Sequence, residues 1–226
     1  MARLKVLFAG VLFGTAGTAV AFAPASASPT NLGLMRLLIG SISLLALMPK
    51  FQVEISNFLK LAKRPLVWVM ALCSAAYQPL FFGATQSNGV GISTLLAVGS
   101  IPIFAALVGR IFLKEDINLD WLLATFLAIL GLTLRTLDEL KLENLTGLFM
   151  AIGAGASVGC YLNAAKVELK KGANQIALPA MAYLLGSISL IPFLLSPAIV
   201  PDPAVVNGIP QLPTSFVSSV PCIFGT

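Results

Sequence analysis

Gly40-Ser41-Ile42-Ser43-Leu44 recurs 146 residues later as Gly186-Ser187-Ile188-Ser189-Leu190, and each copy sits inside an apolar run long enough to cross a bilayer. Upstream of these, at a slightly smaller offset, Leu7-Phe8 is matched by Leu148-Phe149 and Gly14 by Gly155. Order and spacing agree over two successive apolar runs, the pattern of an internal repeat. If the unit holds five helices, the odd number inserts the second copy upside down relative to the first. Inverted repeats of this kind build carriers whose site lies between the repeats near the membrane midplane.

Composition requires the bilayer. Of the 226 residues 58% are hydrophobic and 10% charged, against about 25% charged in a soluble domain. Runs of about 20 residues, enough for roughly 30 Å of hydrocarbon, fall at Leu4–Ala23, Asn31–Met48, Pro65–Thr85, Val90–Leu113, Leu119–Leu137, Leu145–Ala164 and Ile176–Leu195. The expected fold is all-α: a polytopic transmembrane bundle of two inverted five-helix repeats. Residues 1–137 form the first repeat. Residues 138–226 form the second, expected to be incomplete, because an eighth span begins near Ser215 and the sequence ends at Thr226. Five prolines between Pro197 and Pro213 make an extended connection before it, since proline removes a backbone donor and clashes within a helix.

The net charge of +5 maps onto topology. Arg3, Lys5, Lys50, Lys60, Lys63, Arg64, Arg110, Lys114, Lys166, Lys170 and Lys171 fall on one side of these spans, and only Arg36, Arg135 and Lys141 on the other. The positive-inside rule then predicts a multi-pass protein of the cell (inner) membrane with a cytoplasmic N-terminus. Arg3 and Lys5 ahead of an apolar run that ends near Ala25-Ser26-Ala27 also imitate a signal peptide. The match of that run to the sixth favours a retained helix.

Several chemistries are disfavoured. No basic cluster is interleaved with aromatics as a nucleic-acid surface requires. There is no histidine, no Gly-Lys-Ser/Thr phosphate loop, and no convincing nucleophile, base and orienter. Cys73, Cys160 and Cys222 are far apart in apolar sequence and read as small hydrophobes. Neither an enzyme nor a bound cofactor or metal is expected.

The same residues resemble the drug/metabolite transporter superfamily in its EamA-like branch. Gly14-Thr15-Ala16-Gly17-Thr18-Ala19, Ser28-Pro29 and Arg36-Leu37-Leu38-Ile39-Gly40 are similar to its first helical hairpin. Gly91-Ile92-Ser93-Thr94-Leu95-Leu96, Ile101-Pro102-Ile103-Phe104 and Phe112-Leu113-Lys114-Glu115 resemble its fourth helix and the acidic turn after it, and Trp121 through Gly131 its fifth. The resemblance spans about residues 6 to 195. It implies a ten-helix secondary transporter, often an exporter, that effluxes amino acids, drugs or other small metabolites by alternating access. The competing readings are an inactive fragment or a non-transporting membrane subunit, with self-association into a homodimer covering polar positions that an incomplete second repeat leaves open.

Polar groups at membrane depth are costly and mark candidate substrate-binding positions. Tyr77 and Gln78 lie past the middle of the third span, beside Pro79, which frees a backbone carbonyl; the alternative is an interhelical hydrogen bond. Thr15 and Thr18 share a helix face and line a path or bond their own helix. Arg36 either snorkels to the outer headgroups or meets a substrate carboxylate. Tyr161 and Asn163 supply polarity to the sixth span, with an interfacial role as the alternative. Gly10-x-x-x-Gly14 and Gly155-x-x-x-Gly159 read as close-packing seams, and Asn144-Leu145-Thr146 formally matches a glycosylation acceptor.

Overall fold

A computed structural model describes residues 29–51, 53–114 and 144–194, with scattered helical positions between 123 and 134. The expected spans at 4–23 and most of 119–137, and the segment after 194, lie outside the described residues. Among those described, every regular element is helical: α1 (Pro29–Leu47), a 3₁₀ turn (Pro49–Phe51), α2 (Ile55–Leu61), α3 (Pro65–Leu113), α4 (Leu145–Lys170) and α5 (Ala177–Leu194). By length and composition α1, α3 and α4 can cross a membrane, and α5 carries a shorter apolar stretch, Ala177–Pro192.

Proline and glycine set the boundaries. Pro49 follows the end of α1, and Pro65 opens α3, where its missing N–H costs nothing. Arg64 before it is held extended, at φ −86° and ψ 125°, as a residue preceding proline should be. Straight, the 49 residues of α3 would reach about 74 Å, more than twice the hydrocarbon thickness. The helix breaks at Gly89, whose φ of 77° and ψ of 163° are open in practice only to a residue without Cβ.

Packing against α4 shows that the chain reverses there. In the first arm, residues 65–88, Arg64 meets Glu168, Leu80 meets Gly153, Gly83 meets Met150 and Ser87 meets Gly147, so this arm runs antiparallel to α4. In the second arm, residues 90–113, Ser100 lies on Gly155, Phe104 on Gly159 and Ala105 on Asn163, which is parallel. Gly89 is therefore the tip of a helical hairpin, between the sequence-read spans that end at Thr85 and begin at Val90. Beside the tip, the Asn88 amide donates to the Asn144 carbonyl at 2.9 Å and accepts from the Asn144 N–H at 3.0 Å. The Asn144 side chain accepts from the Thr146 N–H and so caps α4. The formal glycosylation acceptor is a helix cap.

The two copies of the pentapeptide occupy equivalent environments. Ser41 and Ser187, both fully buried, donate to the carbonyls three residues back, Leu38 and Leu184. Ser43 and Ser189 donate four residues back, to Ile39 and Leu185. Gly40 faces Tyr183 and Gly186 faces Leu37, so α1 and α5 pack antiparallel.

Candidate functional site

Between the α1–α5 pair and the unit formed by α3 and α4 lies a cavity of about 410 Å³. It is lined by Arg36, Leu37 and Gly40 from α1, Cys73, Ser74, Tyr77 and Gln78 from the first arm of α3, Ile101 from the second arm, Val158, Tyr161 and Leu162 from α4, and Tyr183 from α5. Each of these positions falls in the middle third of its own helical segment. The cavity is therefore at mid-height of the described bundle.

All three tyrosines of the sequence line it. The Tyr77 ring stacks on Phe81, with centroids 5.3 Å apart, and lines the cavity together with Arg36. Tyr161 and Tyr183 stack across the α4–α5 boundary, with ring centroids 6.3 Å apart. Among the described residues Arg36 is the one charged side chain in the lining, and it is half-buried.

Gln78 is 4% exposed, and its Oε1 has no hydrogen-bond partner among the described residues. An unmet buried acceptor costs about 1–3 kcal/mol, so this oxygen stands ready for a donor. Its place is enforced by Gly33, where a Cβ would overlap the Gln78 side chain.

Of the sequence candidates, the structure gathers Arg36, Tyr77, Gln78 and Tyr161 around one space. Asn163 is not part of the lining: its amide donates to the Ala105 and Gly159 carbonyls at 2.9 and 3.0 Å, tying α4 to the second arm of α3. Thr15 and Thr18 lie outside the described residues. Sequence reasoning passed over Tyr183, although its rarity as a tyrosine within an apolar run was a usable signal. It also passed over Glu168, 1% exposed and held by Arg64 at 2.6 Å and Lys171 at 3.1 Å. No group of three or more potential metal ligands occurs among the described residues.

The sequence profile of the EamA-like transporter family matches residues 1–137, more than half of the chain. The chain belongs to that family. It is 38% identical over 193 residues to the uncharacterized transporter YwfM of Bacillus subtilis, a match covering 84% of this chain and 64% of that protein. An uncharacterized transporter of Archaeoglobus fulgidus is 26% identical over 194 residues, covering 84% of this chain and 65% of the relative. The uncharacterized transporter YdfC of Bacillus subtilis is 29% identical over 108 residues, 47% of this chain and 34% of that protein. The chain thus spans less than two thirds of the length of the relatives it matches. No solved structure matches. With its apolar helices, the chain is a multi-pass membrane protein of a transporter family.

Proposed function

We propose that this protein is a secondary carrier of small metabolites, working by alternating access around the mid-height cavity, with export as its direction. The carrying observation is the cavity itself. One cation, three phenols and one unpartnered amide oxygen converge half-way along the helices, where an inverted-repeat carrier holds its substrate. The antiparallel packing of α1 on α5, with matching serine hydrogen bonds, supports a division into repeats at residues 1–137 and 138–226.

The lining suggests how a substrate is held. Arg36 offers its guanidinium to a carboxylate, Gln78 Oε1 takes an N–H or O–H, and the tyrosine rings with Leu37, Ile101 and Leu162 receive an apolar body. A space of about 410 Å³ holds about a dozen water-sized groups. Amino acids and similar small carboxylates fit this description. An organic cation meets the like charge of Arg36 in a low-dielectric site, which is repulsive.

The test is counterflow in liposomes carrying the purified protein, with amino acids, small carboxylates and cationic drugs as alternative substrates. Saturable exchange of a carboxylate, with the cations inert, is expected. Absence of saturable exchange across the whole panel removes the carrier reading. Orientation has its own test. Lys60 and Lys171 lie toward the end of the bundle that carries the Arg64–Glu168 pair, and Gln86 toward the end that carries Asn144. Reporters fused after Lys60 and Lys171 are expected to report cytoplasm and one fused after Gln86 the outside, as the cation asymmetry requires. A cytoplasmic signal after Gln86 reverses the assignment.

A further inference from the structure

Glu168 is a carboxylate with almost no access to solvent, clamped between the Arg64 guanidinium at 2.6 Å and the Lys171 ammonium at 3.1 Å. Arg64 and Glu168 are 104 residues apart in sequence and join the start of α3 to the last turns of α4. Moving from this pair toward the cavity, three helices present the same order of layers. On α3 come Val67 and Met70 and then Cys73; on α4, Ala164 and then Tyr161; on α5, Leu178 and Met181 and then Tyr183. An ion pair and an apolar layer therefore lie between the cavity and this end of the bundle.

At its other end α4 meets α3 differently. There the contacts are the neutral hydrogen bonds of Asn88 with Asn144, next to Gly89. A Cβ built on Gly89 would have nothing within 4 Å, and its φ is positive, so this position has both the room and the backbone freedom of a hinge. The second arm of α3 is locked to α4 by the Gly155 and Gly159 contacts and by the Asn163 amide. Toward α4 the first arm makes only side-chain contacts between the hinge and Arg64, Met150 on Gly83 and Leu80 on Gly153, while its close seams, Gly186 on the Ala71 carbonyl and Gly33 on Gln78, tie it to α5 and α1, which move with it. From Gly89 to Arg64 that arm is about 37 Å long, so a rotation of roughly 10° at the hinge separates Arg64 from Glu168 by about 6 Å, given that length. Arg64 also borders a second hollow of about 410 Å³, lined with Glu54, Asn57 and Asn174, which gives the released guanidinium a polar place to go.

We infer that the Arg64–Glu168 pair is a latch that holds this end of the bundle shut, and that the cavity opens toward it when the first arm of α3 swings about Gly89 and the pair breaks. The inference rests on the carrier reading of the cavity. Glu168 is covered while Arg64 is 38% exposed, and the uncompensated charge left on a covered carboxylate's site when one partner is lost disfavours the closed contact, so loss of either charge shifts the population toward the open form and an exchanged pair restores it.

The test uses Cys73, which lines the cavity as a free thiol, in a protein with Cys160 and Cys222 changed to serine. In vesicles of known orientation, a membrane-impermeant thiol reagent is applied from the Arg64 side, and a permeant reagent serves as the measure of cavity access. We expect E168Q and R64Q to raise the impermeant labelling rate at least about tenfold, K171Q, at the more exposed partner, to change it less than about threefold, and the R64E/E168R exchange, made together with K171Q so that the new arginine does not face the Lys171 ammonium, to return it to within about twofold of K171Q. If E168Q does not accumulate, R64Q, which leaves Glu168 its Lys171 partner, reads the same quantity. Unchanged impermeant labelling in R64Q, with the permeant reagent still reaching Cys73, overturns the latch and leaves the cavity standing. Failure of the permeant reagent to reach Cys73 in any of these proteins overturns the cavity, and with it the carrier reading.

Discussion

Arg36→Ala is expected to abolish measurable counterflow at substrate concentrations that saturate the unaltered protein, with protein level in the membrane little changed. Among the described residues Arg36 is the one ionic group in a lining otherwise built from phenols, an amide, a thiol, a hydroxyl and hydrocarbon. A carboxylate entering such a space loses its water and has a single strong replacement for it. Truncating one member of a desolvated charge pair costs about 2–5 kcal/mol, a loss of roughly thirtyfold to a few thousandfold in affinity. Arg36→Lys keeps the charge but loses the planar fork that engages a carboxylate through two parallel N–H bonds. It is expected to retain transport with about a tenfold higher half-saturating concentration. Equal half-saturating concentrations in all three proteins would reduce Arg36 to a packing residue and move the anion site elsewhere.

What the sequence made legible followed from local physics. The hairpin of α3 was readable because two apolar runs meet at a glycine, and only a glycine sustains the backbone found at 89. The pentapeptide repeat was readable as identity, and its two copies make the same serine hydrogen bonds. The side chains needed information that lies far away in the chain. That Arg36 borders the same space as Tyr77, Tyr161 and Tyr183 depends on how three other helix segments pack around it. Asn163 resembled a ligand group until Ala105, 58 residues distant, supplied a carbonyl for its amide. Glu168 sits among Lys166, Lys170 and Lys171 in sequence, and nothing local shows that Arg64, 104 residues away, bonds it. Residue type fixes what a group can bond, and the tertiary partner decides whether that capacity is spent within the fold or left for a ligand.

The seam between α4 and the second arm of α3 carries the other large expected effect, and it concerns folding. In hydrocarbon, helices gain nothing from hiding apolar surface, and association depends on close van der Waals contact and interhelical hydrogen bonds. At Gly159 a Cβ would stand 2.8 Å from the Ala105 nitrogen and 2.9 Å from the Phe104 Cβ, and at Gly155 it would collide with Ser100 and the Ala97 carbonyl. These obstacles are mostly backbone or the first atoms of side chains, so a rotamer change does not clear them and the helices must separate. Separation also stretches the Asn163 to Ala105 hydrogen bond, 2.9 Å in the intact seam. Gly159→Leu is therefore expected to cost at least about 3 kcal/mol, the upper part of the usual overpacking range, and to leave little monodisperse protein on size exclusion in detergent. Two comparisons isolate the cause. At Gly83 an added Cβ meets only the flexible end of Met150, and at Gly131 nothing lies within 4 Å, so Gly83→Ala and Gly131→Leu are expected to purify and unfold much as the unaltered protein does. If Gly159→Leu behaves like these two, the close approach of the helices does not hold the bundle together. If all three fail alike, sensitivity to added volume is general and not a property of the seam.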